Sequence, residues 1–174
     1  DLMSADSATS GKSSVLFLCL GNICRSPLAE GVFRDYVAKQ GLSDEIFVDS
    51  AGTGRWHVGD PPESNGQACA RKHGLDISDL RARQLKPADF ERFDLIVAMD
   101  RSNVEDAKQV GRRVRGAKAE LRLFTSFLPD SDVVDVPDCF YADDIKQSFE
   151  EVYALLVKGT PAIVEHLRSK TTGK

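Results

Sequence analysis

Short apolar blocks alternate along the chain with mixed polar segments, and this alternation predicts a parallel sheet covered by helices on both faces. The block 15–18 belongs to a first strand over 14–20, and residues 27–40 form a helix closed by Gly41. A second strand is expected over 46–50, followed by a Gly-rich loop over 51–59. Pro61 and Pro62 open a helix that runs to about Lys72 and stops at His73-Gly74. Residues 93–99 form the most apolar run and are the candidate central strand. Asp100 to Asn103 begin a helix through Val110, and a fourth strand is expected over 119–123. Residues 124–141 read as a long irregular connection containing Pro129, Pro137 and several aspartates, a length that marks functional or mobile loops. The last helix starts near Asp143-Asp144, places Ile145, Phe149, Val152 and Leu156 on one face, and reaches about Arg168. Gly159 and Pro161 are expected to kink or split it.

A chain of 174 residues fits one domain, here bounded at 13–170. Residues 1–12, rich in Ser, Ala and Thr, and residues 171–174 are expected to be disordered. The net charge of −4 gives no reason to expect nucleic acid or an anionic membrane as partner. Two basic clusters, 71–86 and 108–122, read as solvated surface, since no aromatic residues are interleaved for base stacking. Four cysteines, at 19, 24, 69 and 139, lack the spacing of a secreted disulfide framework, so reduced thiols and a cytoplasmic protein are expected, with export by a route lacking a cleavable signal as the alternative; a monomer with at most weak self-association is expected as well. No apolar stretch is long enough for a membrane span.

The chemistry concentrates in Cys-Leu-Gly-Asn-Ile-Cys-Arg-Ser-Pro, residues 19–27, which reads as a strand end, an anion-binding loop and a helix start. The amides from Leu20 through Gly21, Asn22, Ile23 and Cys24 to Arg25 can form a nest around a tetrahedral anion. Gly21 permits positive φ and Asn22 tolerates it. Arg25 adds a planar fork that matches two anion oxygens. Ser26 can cap the helix and Pro27 suits its first position. A helix N-terminus favours both the anion and a thiolate at Cys19, a nucleophile needing no metal. The Walker pattern lacks its Lys, no Gly-x-Gly-x-x-Gly follows the first strand, and Cys19-x4-Cys24 has no matching pair for zinc.

This segment resembles the Cys-x5-Arg-Ser-Pro signature of the low-molecular-weight protein-tyrosine phosphatases. The resemblance extends through Asp49-Ser50-Ala51-Gly52-Thr53, the Trp56 loop, Asn65-Gly66-Gln67, His73-Gly74, Ala98-Met99-Asp100 and Val136-Pro137-Asp138, covering about residues 14–168. It implies a flavodoxin-like three-layer α/β sandwich whose four-stranded parallel sheet has the order 2-1-3-4, with the site at the carboxyl ends of the strands. It also implies a phosphotyrosine-protein substrate, inorganic phosphate as product, no cofactor, and Asp138 as general acid, with Asp135 its competitor. Trp56, Phe140 and Tyr141 would wall an aryl pocket. Asn22, Ser26, Ser50, His73 and Asp100 would support the loop, with Asn22, Ser50 and His73 as one network, and oxidation could join Cys19 to Cys24.

Where the family usually reads Asp-Pro-Tyr-Tyr, this chain has Asp138-Cys139-Phe140-Tyr141, so the acid loop should be looser. Three rival readings share the loop. An arsenate reductase would relay oxidation through further cysteines, an arginine phosphatase of the family tends to carry Thr in place of Ile23, and a binding module would have lost turnover. Trp56 and Asp138 favour an aryl-phosphate hydrolase.

Overall fold

The computed structural model describes residues 9–173 of the chain. Four parallel strands, β1 (Ser13–Cys19), β2 (Ile46–Gly52), β3 (Leu95–Ala98) and β4 (Glu120–Leu123), pair in the order β2-β1-β3-β4. The register runs from Ser13 opposite Ile46 to Cys19 opposite Gly52, and Val15 faces Leu95 on the other side. This is the sheet that the family resemblance implies. Side chains along a strand alternate between faces. Val15, Phe17 and Cys19 therefore share one buried core with Leu28, Phe33, Phe149 and Leu156, while Leu16 and Leu18 enter a second with Phe90, Phe93 and Ala107.

Helices α1 (Arg25–Lys39), α2 (Ser64–Lys72) and α5 (Ile145–Thr171) cover the first face. The short α3 (Asp89–Arg92) and α4 (Arg101–Gly111) cover the second. The turn of α3 was not expected, and four residues carry too little periodicity to announce it. Glu63, rather than the prolines, caps α2 by accepting from the backbone N–H groups of Asn65 and Gly66. The connection 124–141 contains two 3₁₀ turns, Phe124–Phe127 and Cys139–Tyr141.

The expected split in the last helix is corrected: α5 runs as one helix of 27 residues with Pro161 inside it. Gly159 lets the ring of Phe124 approach, for a Cβ there would lie 2.5 Å from it. Pro161 lacks an N–H for the carbonyl of Val157, a residue on the exposed side where water can replace the bond. Of the ends expected to be disordered, residues 1–8 and 174 lie outside the described residues. Residues 9–12 form a turn, with Lys12 N donating to Thr9 O at 3.0 Å, and the Thr171 hydroxyl lies 3.1 Å from that of Ser13. No helix among the described residues is long and apolar enough to cross a membrane.

Candidate active site

Cys19 is the last residue of β1, and α1 begins at Arg25, so the intervening loop crosses the carboxyl end of the sheet at the switch point between β1 and β3. Three carbonyls along it are occupied from outside. Thr53 N donates to Cys19 O and Gly54 N to Leu20 O, both at 2.9 Å, and Glu63 N donates to Ile23 O at 2.8 Å. None of the backbone N–H groups of residues 21–25 has a protein partner among the described residues. They form, with the start of α1, a concentration of unspent donors beside the Cys19 thiol.

The left-handed residue of the loop is Asn22, at φ 56°; Gly21 has no positive φ. A Cβ at Gly21 would press on His57 Cδ2 at 3.1 Å, so that side chain would have to give by a few tenths of an ångström to admit one. Asn22 holds its conformation with all its polar atoms. Its Nδ2 donates to Ser26 Oγ at 2.9 Å and Ser50 Oγ at 3.0 Å, and its Oδ1 accepts from Arg83 N at 2.9 Å. Ser26 is not the helix cap. The capping position falls to Cys24, whose side chain makes no capping bond, and Ser26 Oγ lies 2.9 Å from Cys19 Sγ.

Ser50 donates to Glu30 at 2.8 Å, and this carboxyl, buried and also paired with Arg34, is pushed up to about 7 by burial and by Asp49. Arg83 binds Asp49 and Asp89 at 3.0 Å each. It belongs to a cluster expected to be solvated surface, yet three-quarters of its side chain is buried. Glu30 and Arg83 are thus supporting residues that sequence reasoning missed. Arg83 was hidden within a basic run, and only the aspartates at 49 and 89 signalled it.

His73 does not belong to this network. Its Nε2 lies 2.8 Å from Glu150 Oε2, and its ring stacks on Tyr153 at 3.8 Å, because the end of α2 turns it toward α5.

Arg25 is 2 % exposed. Its Nη1 donates to Asp100 Oδ2 at 2.8 Å and to Val136 O at 3.0 Å, and its Nη2 lies 3.6 Å from Asp138 Oδ2. Burial alone would weaken its hold on the proton, but Cys19, Asp100 and Asp138 push it above the usual arginine range. Asp100 also caps α4 by accepting from Asn103 N at 2.8 Å.

Asp138 caps the Cys139–Tyr141 turn, its Oδ1 accepting from Phe140 N at 3.1 Å. Asp135 points elsewhere. Arg101 binds it at 3.0 Å and holds its carboxyl below the usual range.

A pocket of about 60 Å³ joins Cys19, the loop and Arg25 to Asp138, His57, Phe140 and Tyr141. Trp56 is not among its walls. Its indole folds over Gly54 and is 73 % exposed, so the turn that follows presents His57 to the pocket. Phe140 lies 6.3 Å from the His57 ring and packs edge-on against Tyr141.

All four cysteines are free and buried. The neighbouring Cys139 thiol, burial and nearby Cys19 hold the Cys24 thiol above its usual range. Cys139 is fully buried and belongs to the first core, so it ties the segment 138–141 into the fold.

Residues 14–172 match the family model described as low molecular weight phosphotyrosine protein phosphatase. A mouse protein of that name is 42% identical over 155 residues, 89% of this chain and 96% of the relative. The crystal structure of YfkJ from Bacillus subtilis superimposes with a TM-score of 0.82 at 38% identity, covering 91% of this chain and 96% of the other. A Drosophila arginine phosphatase structure gives 0.81 at 29% identity, covering 87% and 96%. A thiol and an arginine flanking a loop of inward amides, and these matches over nine-tenths of the chain, lead to one conclusion: the chain belongs to the low molecular weight phosphotyrosine protein phosphatase family.

Proposed function

We propose that the chain hydrolyses phosphotyrosine in proteins, and small aryl phosphates, through a phosphocysteine formed at Cys19. The observation that carries this reading is the set of unpaired N–H groups at 21–25, gathered around the Cys19 thiol with Arg25 alongside. Such fixed donors hold the equatorial oxygens of a phosphoryl group without reorganising. The Cys19 thiolate attacks phosphorus in line and the bond to the tyrosine oxygen breaks. Asp138 gives that oxygen its proton. Water then attacks phosphorus, Asp138 takes a proton from it, and the sulfur–phosphorus bond breaks to release inorganic phosphate.

The position of Asp138, at the pocket edge and 3.6 Å from Arg25, supports it as the acid over Asp135, which Arg101 engages. His57, Phe140 and Tyr141 offer a surface for an aryl ring. Ile23 favours phosphotyrosine over phosphoarginine. We read the protein as a monomer working in the cytoplasm, where Cys19 stays reduced.

The test is p-nitrophenyl phosphate turnover without added metal. Cys19→Ser should abolish it while phosphate still binds, and Asp138→Asn should slow it about 10²- to 10⁴-fold. Near-normal turnover in Asp138→Asn, with loss in Asp135→Asn, would move the acid role. Thiol-dependent arsenate reduction without aryl phosphatase activity would overturn the whole reading.

A further inference from the structure

Outside the catalytic pocket, one cluster joins three different donor types. Cys69 and His73 stand four residues apart at the end of α2, and His73 N bonds to Cys69 O, so the helical turn continues and both side chains share a face. Glu150, from the facing helix α5, completes the group. A ligand atom from each lies within 4.8 Å of the others. We propose that Cys69, His73 and Glu150 form a zinc-class transition-metal site that staples α2 to α5.

The donors fit that class. A thiolate, an imidazole and a carboxylate oxygen suit zinc, whereas magnesium and calcium take oxygen alone. The imidazole is already oriented, since its ring lies flat on Tyr153 at 3.8 Å and its Nε2 is the atom turned to Glu150. Lys72 Nζ sits 3.3 Å from Glu150 Oε1, which leaves Oε2 to serve as a single-oxygen ligand.

A cleft of about 440 Å³ beside Cys69 and Glu150 gives a path of entry and room for water as fourth ligand. On binding, the thiol proton passes to solvent and the resulting thiolate and the carboxylate balance the two charges of the ion. None of the three residues lines the catalytic pocket, so this site stands apart from the phosphatase reading.

The full chain carrying Cys19→Ser, which removes the competing pocket thiolate, should be titrated with Co²⁺ and then Zn²⁺. Expected are a thiolate-to-cobalt charge-transfer band, the strong visible bands of four-coordinate cobalt, their loss on adding one equivalent of Zn²⁺, and a higher melting temperature with Zn²⁺. Cys69→Ser should abolish the charge-transfer band, and Glu150→Gln should weaken binding by at least about tenfold. Absence of the band, or its survival in Cys69→Ser, would overturn the proposal. Should Cys69→Ser fail to fold, His73→Gln, altered at a partly exposed side chain, decides by the same titration: unchanged affinity refutes the site.

Discussion

Ser26 Oγ lies 2.9 Å from both Cys19 Sγ and Asn22 Nδ2. The amide nitrogen of Asn22 can only donate, and of the two acceptors left to the hydroxyl the sulfur at 2.9 Å is nearer than Ala51 O at 3.4 Å, so a thiolate draws the hydroxyl proton. That proton stabilises the thiolate when it leaves phosphorus. A hydrogen bond to a charged group contributes about 1.5–3 kcal/mol. Ser26→Ala should therefore slow breakdown of phosphocysteine roughly 10- to 100-fold, seen in rapid-quench experiments as a larger burst and a slower steady state. Equal burst and steady-state rates would dismiss this role.

Asn22 combines a left-handed backbone with three side-chain bonds. Two substitutions separate these contributions. Asn22→Gly keeps the conformation and loses the bonds, whereas Asn22→Ala loses both, and the αL penalty makes it about 1 kcal/mol less stable than the glycine variant. Both should raise the inhibition constant for inorganic phosphate. Denaturant melts and product inhibition read the two effects.

Asp100 has two tasks, holding Arg25 and capping α4. Asparagine caps as well as aspartate but withdraws the charge that faces buried Arg25, so Asp100→Asn should cost stability through that pair and lower kcat/KM by about tenfold as Arg25 loses its anchor. Asp100→Ala should lose a further 1 kcal/mol or so of stability with the cap. Equal melting of the two variants would contradict the capping role.

Glu30 titrates near 7 when folded because burial, then Asp49, disfavour its charge. Its ordinary value is 4.5. Between those values the folded chain keeps a proton that the unfolded chain releases, so this group destabilises the fold as pH rises from 4.5 to 7. The full cost, on the order of 3 kcal/mol, applies above that window. Glu30→Gln removes the titration, so its stability relative to the parent should climb across the window and level off beyond it. Urea melts at several pH values provide the check.

The strands were legible because β1 and β3 are buried on both faces and read as apolar runs, and the loop was legible because Cys19, Asn22, Arg25 and Ser26 fall within eight residues. Side-chain direction was not. Trp56 and His57 are neighbours in a turn, and only the packing of the indole over Gly54 decides which one faces the pocket. His73 read as a loop partner, but its direction is set by stacking on Tyr153, more than seventy positions away in sequence. Cys139 read as a loosening substitution because its burial in the same core as Cys24 depends on packing between segments distant in sequence.

The three bonds that Thr53, Gly54 and Glu63 make to the carbonyls of Cys19, Leu20 and Ile23 sort the polarity of the catalytic loop. Acceptors are drawn outward and donors are left facing in, as if the loop had a charged inner lining and a neutral outer coat. Anion affinity is therefore written partly in the segment 53–63, which contributes only His57 to the pocket wall. Nicking or lengthening that segment would let the peptide planes rotate and cancel the inner field while the sheet beneath stayed folded, so phosphate binding would fail before the fold did.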